Sequence, residues 1–245
     1  MIIMTDAIIL DLDGILFDTS YRMCASVNSI FSALFEVSDS RILLQKVDLK
    51  EIRERPYEIN KIIEEKLDAT NLTLSDKEKA DLVNETLKKI LNVFLSNTYL
   101  ILDEPYPTAV FFTNAIVKKY FILYLTGRHH EEGDSMKAGT LYSLRVHHFA
   151  FGEKSQQLIM KPGKTLEDIA FKLDTIKRLN KEFNIVAFFD DVPANLAAIH
   201  KQFPEIPLFT VTNTFPRRDF MKYLAKDEVH IFSYLEHALR IIKYY

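Results

Sequence analysis

The chain has little cysteine, glycine or proline: one Cys, 6 Gly and 8 Pro in 245 residues. The lone Cys24 excludes an internal disulfide and fits a reducing compartment. No stretch is low in complexity and no repeat is visible, so no linker announces itself. Neither sign of charge dominates. A net charge of −3 provides no global basic field for nucleic acid, although a local basic groove stays open. No apolar run approaches the roughly 20 residues that span a bilayer, and "MIIMTDAIIL" lacks the basic start and long apolar core of a signal peptide. The expectation is a soluble, cytoplasmic protein with no membrane partner. What is present is ordinary globular material, 48% apolar and 27% charged, enough for one large domain or a core domain with an insertion.

The texture changes twice along the chain. Residues 6–12, "DAIILDL", read as a central parallel strand, a short apolar run ending in a turn signal. From about Thr19 the period becomes helical, with Met23, Val27, Ile30, Phe31 and Leu34 on one face. "SDKE" at 75–78 is a capping box ahead of a second stripe, Val83, Leu87, Ile90, Leu91 and Phe94. The charged helical stretch between them breaks near Pro56, and no convincing strand lies between residues 20 and 98. After "DEPYPTA" (103–109) helices near 107–118, 135–146, 166–182 and 193–202 alternate with the strands "YFILYLT", "QLIMK", "IVAFFDD" and "PLFTVT". That alternation implies right-handed crossovers and a parallel sheet. The plan is an α/β core interrupted early by helices.

Three strands end in polar residues: "IILDLDG" in Asp11 and Asp13, "FILYLTGR" in Thr126, Gly127 and Arg128, and "VAFFDDVPAN" in Asp190, Asp191 and Asn195. Ligands of open parallel sheets bind beyond the carboxyl ends of the strands, so these groups would share one rim. An unpaired buried carboxylate is costly. Several together call for a hard cation held by oxygen, most simply Mg²⁺. Each signal has a plainer reading: an acidic turn for Asp11 and Asp13, a helix cap for Asp190 and Asp191, and a turn with a surface arginine for 126–128. Their co-occurrence favours a site.

"DLDGILFDT", "LTGR", a later lysine and "FFDD" resemble, in order and spacing, the four motifs of haloacid-dehalogenase-like (HAD) hydrolases. The run from "DEPYP" to "FFDDVPANL" further resembles phosphatases related to polynucleotide 3′-phosphatases and acid phosphatases. The resemblance implies a Rossmann-like core from residues 1–19 and 103–245 and a helical cap from 20–102. It implies Asp11 as the nucleophile that becomes an aspartyl-phosphate and Asp13 as general acid and base. Mg²⁺ would be held by the Asp11 carboxylate, the Asp13 carbonyl and one or both of Asp190 and Asp191. Thr126 and the Gly127 amide would bond the phosphoryl oxygens, and Arg128 would clamp them. Carboxylates two apart on an extended strand face opposite sides, so the turn at Gly14 must swing Asp13 back. A lysine must balance the charge: Lys172 in "FKLDTIKRL" is favoured by position, and Lys161 in "MKP" is the other candidate.

"KPGKT" (161–165) lacks the first glycine of a phosphate loop, Leu158 standing in its place. His129 and His130 are read as solvated, or at most touching substrate, and His147 and His148 have no spaced ligand partner. Cys24 reads as core filling. The resulting expectation is a Mg²⁺-dependent phosphatase of small phosphorylated substrates. A nucleotidase or polynucleotide 3′-phosphatase is the alternative; nucleic acid is disfavoured but a 3′-phosphate end stays open. A non-catalytic HAD-like scaffold is the reading from another class.

Overall fold

The structure is a computed structural model and describes residues 4–33, 35–37, 40–70, 73–152, 155–212 and 217–243. In chain order, β1 (Thr5–Leu10) and the short β2 (Phe17–Asp18) precede α1 (Ser20–Phe31). Next come a small hairpin, β3 (Phe35–Val37) and β4 (Ser40–Ile42), and the helices α2 (Leu49–Glu54), α3 (Ile59–Asp68) and α4 (Asp76–Phe94). After β5 (Glu104–Pro105) the types alternate: α5 (Ala109–Ile116), β6 (Phe121–Glu131), β7 (Asp134–Ser135), α6 (Lys137–Val146), β8 (Gln156–Lys161) and α7 (Asp168–Leu179). The chain continues through β9 (Phe183–Phe189), α8 (Pro193–Gln202), β10 (Leu208–Val211), α9 (Arg217–Phe220), β11 (His230–Phe232) and α10 (Leu239–Ile242). Two compact units result: Met1–Asp18 with Glu104–Tyr245, and Thr19–Asp103.

The first unit is built on six parallel strands in the order β11-β10-β9-β1-β6-β8, with β7 folding back antiparallel on the end of β6. Both faces are covered, which is why the strands are apolar throughout rather than alternating. Ile8, Leu10, Ile122 and Tyr124 point into a core shared with α5 and α6, while Ala7, Ile9, Leu123 and Leu125 point into one shared with α7 and α8. In β9 the pairing with β1 skips Val186, so Val186 and Ala187 both enter the first core and the alternation resumes one residue later. Such a bulge re-aims the residues beyond it, here the acids at 190 and 191. The chain runs from β1 outward through β6 and β8, then returns to β9 on the other side of β1 and runs outward again. The switch point of the sheet therefore falls between β1 and β9, where such sheets open a crevice.

The second unit packs α1 to α4 around Val27, Phe31, Ile52, Ile62, Ile63, Val83 and Ile90. Leu34 lies outside the described residues, and Leu91 is exposed rather than part of the stripe. Ser75 caps α4 with Glu78 closing the reciprocal bond, a capping box. α2 stops at Glu54, ahead of Pro56, whose ring disfavours a helical residue before it. Arg22 and Asp103 form a fully buried ion pair at 3.1 Å, with the guanidinium 4.2 Å from the Phe94 ring centre.

Three expectations need correction. The β3–β4 hairpin is a strand pair inside the stretch read as strand-free, too short to show a period. β11 adds a sixth parallel strand to the five read from the sequence. β6 does not end at Thr126 but runs to Glu131: past a bulge His129 still pairs with Lys161 of β8, and β7 pairs with the last two residues. Among the described residues no helix is long and apolar enough to cross a membrane.

Candidate active site

The carboxyl ends of β1 and β9 deliver their acids at one level. The Asp11 amide donates to the Phe189 carbonyl at 3.0 Å, carrying the ladder one residue past β1, and the Asp190 amide donates to the Phe209 carbonyl at 3.3 Å. Asp11, Asp190 and Asp191 are all buried, and each offers a carboxylate oxygen within 4.8 Å of the others. From the first half of α7 the Lys172 ammonium donates to Asp11 Oδ2 at 2.7 Å and Asp190 Oδ2 at 2.8 Å, and lies 3.1 Å from Asp168 Oδ2. Asp190 Oδ1 accepts from the Val192 amide at 2.8 Å and from Asn195 Nδ2 at 3.3 Å. Asp190 thus braces the start of α8 from outside the helix, whose cap position is Val192.

One ammonium, Lys172, contacts three carboxylates, Asp11, Asp168 and Asp190, and Asp191 adds its charge beside Asp11. Burial pushes the Asp11 carboxyl well above its ordinary range, and the three neighbouring acids add to that, against the pull of Lys172. For Lys172 burial works against the charge, but Asp11, Asp190 and Asp168 outweigh it and hold the ammonium well above its ordinary value. A pocket of hard oxygen donors suits a divalent cation of the Mg²⁺ type. Asp168 was not among the candidates read from the sequence. Its signal was the four-residue spacing from Lys172, which stacks the two on one face of α7.

Asp13 is turned by a tight loop. Gly14 has φ +78°, its amide donates to the Phe17 carbonyl at 3.0 Å, and Leu16 and Phe17 both donate to the Leu12 carbonyl. Leu12, Ile15, Leu16 and Phe17 are buried in the first core, which anchors the loop on that side. Position 14 also needs the absence of a side chain, since a Cβ there would overlap the Asp191 carboxylate. Gly127 meets the same requirement against Asp168.

Thr126, Gly127 and Arg128 sit within β6 rather than in a turn beyond it, at a bulge in its pairing with β8. Thr126 is fully buried, and its Oγ1 accepts from the Arg128 amide at 3.2 Å. The Arg128 guanidinium grips Asp13: Nε lies 3.1 and 3.3 Å from its two oxygens and Nη2 lies 2.5 Å from Oδ1. Nη1 reaches Thr140 Oγ1 at 3.3 Å. The Asp13 carboxylate is therefore not one of the clustered acids.

Lys172 meets Asp11 directly. Lys161 ends β8 opposite His129 and makes no ion pair among the described residues. His129 is buried, contrary to the solvated expectation, because β6 continues past Thr126 and pairs it with Lys161 of β8; His130 is exposed on Ser135. His147 sets its ring edge toward Phe17, and Cys24 is half-buried in the helical unit near the Val47 carbonyl.

No family model and no curated relative matches the sequence. Solved structures do. A haloacid dehalogenase-like hydrolase from Streptococcus pneumoniae superposes with a TM-score of 0.62 at 14% identity, covering 97% of this chain and 98% of that one. A predicted phosphatase from Clostridium acetobutylicum gives 0.59 at 13% identity over 99% and 100% of the two chains. A predicted phosphoglycolate phosphatase from Haemophilus somnus gives 0.58 at 14% identity over 96% of each. At such identities the likeness shows the fold alone: a HAD-like Rossmann core, in superpositions that cover at least 96% of this chain.

Proposed function

We propose that this chain is a HAD-like phosphatase that hydrolyses phosphate monoesters through an aspartyl-phosphate on Asp11. The observation that carries the reading is the trio Asp11, Asp190 and Asp191, buried at the switch point of a HAD-like sheet with Lys172 on Asp11. Asp11, Asp190 and Asp191, with the Asp13 carbonyl, are the groups that would hold Mg²⁺. Bound there, the ion supplies positive charge to draw in the phosphoryl group and to stabilise its transferring oxygens.

An Asp11 oxygen attacks phosphorus; the bond to the ester oxygen breaks and its electron pair leaves with that oxygen, which takes a proton from Asp13. Water then attacks the aspartyl-phosphate, giving a proton back to Asp13 and returning the carboxylate to Asp11, with inorganic phosphate released. Lys172 keeps the nucleophile oriented and offsets part of the dianion's charge. The buried Thr126 hydroxyl and the Gly127 amide are the groups offered to the phosphoryl oxygens. Residues 20–102 would form the cap, which favours small phosphorylated substrates over long polymers. The single cysteine, Cys24, agrees with a cytoplasmic setting.

Turnover of p-nitrophenyl phosphate with and without Mg²⁺ tests this. Asp11→Asn is expected to lower kcat by about 10⁴-fold or more, and chelation to abolish activity. Metal-independent turnover surviving Asp11→Asn overturns the reading. A panel of sugar phosphates, nucleotides and a 3′-phosphorylated oligonucleotide distinguishes a small-molecule phosphatase from a nucleotidase or 3′-phosphatase. Silence across it favours the scaffold.

A further inference from the structure

We propose that Arg128 is a positioning residue for Asp13, holding the carboxyl group that serves the leaving oxygen, and not a clamp on the phosphoryl group. This rests on the phospho-aspartate reading above. The guanidinium is committed from every side. Nε and Nη2 engage Asp13, Nη1 engages Thr140, and the central carbon Cζ lies over the Phe17 ring, 5.3 Å from its centre. Arg128 is 1% exposed while the Asp13 side chain is 32% exposed, so the acid faces the open side with the arginine behind it. To reach a phosphoryl oxygen the guanidinium would have to abandon a buried two-nitrogen grip. Thr140 and Phe17 fix the arginine from two separate segments, α6 and β2, and a planar fork so held allows the carboxylate one orientation. The Gly14 turn brings Asp13 round and Arg128 sets its final aim.

The consequence is a dependence on leaving group. When the P–O ester bond breaks, p-nitrophenolate departs without needing a proton, whereas phenolate, nearly the same shape, is a poorer leaving group and needs the proton of Asp13. Arg128→Gln is therefore expected to lower kcat/KM for phenyl phosphate about tenfold more than for p-nitrophenyl phosphate, with inhibition by inorganic phosphate unchanged. Asp13→Asn carries the same selectivity, and adding Arg128→Gln to it is expected to change the ratio no further. Thr140→Val, which removes only the outer anchor, is expected to shift the ratio in the same direction by less, and it decides the matter if Arg128→Gln does not fold. Equal losses on both esters overturn the proposal in favour of a structural role. Equal losses with weakened phosphate inhibition overturn it in favour of a clamp. If Asp11→Asn is inactive and the ratio does not move, positioning alone fails; if Asp11→Asn stays active, the phospho-aspartate reading fails and takes this proposal with it.

Discussion

Each unit of this protein buries a charge assembly, and the two are built on different terms. In the helical unit Arg22 meets Asp103 with both side chains fully out of solvent and an aromatic ring over the guanidinium. In the sheet unit Lys172 meets Asp11, Asp168 and Asp190, with Asp191 alongside. The first lies inside helical packing, Arg22 on α1 against Phe94 of α4. A cluster of several acids round one ammonium carries an electrostatic cost that a cation would relieve.

That contrast can be broken most severely at Lys172. Lys172→Met leaves the acids without their ammonium and is expected to lower kcat/KM by about 10³-fold, read in steady-state kinetics at saturating Mg²⁺. Next comes its counterpart. Arg22→Met takes the guanidinium away from a buried carboxylate and is expected to cost about 3 kcal/mol in chemical denaturation, while the rise in melting temperature on adding Mg²⁺ stays the size seen in wild type. A Mg²⁺ response lost together with Arg22 would erase the distinction between the two assemblies.

A smaller effect sharpens it. In metal-free protein the folded-state pKa of Asp11 is raised, so the folded state holds that proton more tightly than the unfolded chain. Its destabilising contribution is absent below the ordinary carboxyl range and grows as pH rises toward the raised value. Metal-free Asp11→Asn is therefore expected to melt about 2–4 °C above wild type at neutral pH, with the gap closing toward acid pH and reversing with Mg²⁺. No gap at neutral pH would deny that cost. Smallest is Ser75→Ala, which removes the α4 capping box at a cost of about 1 kcal/mol and leaves the kinetics of folded protein unchanged.

The strands of the first unit were readable because a strand buried on both faces must be apolar and short, and its polar end must lie at an edge. β11 escaped because "HIF" is three half-buried residues that only a ready-made neighbour in β10 makes a strand. Asp11, Lys172 and Asp190 stood out by type and position. Asp168 did not, since an acid in the first turn of a helix has a plain use against the helix dipole.

The positions of Arg128 and His129 depended on β6 running on through the bulge at 126–129, where β8 regains its pairing at His129. By itself the sequence determined which segments alternate and which residues can carry charge at their ends, because apolar periodicity and side-chain chemistry are local. Which carboxylate meets which cation was decided only by the tertiary structure. Asp13 lies 115 positions from Arg128, and Asp11 lies 161 from Lys172. Contacts at that separation are set by strand order, by one skipped residue in β9 and by a glycine turn, none of which has a pattern along the chain.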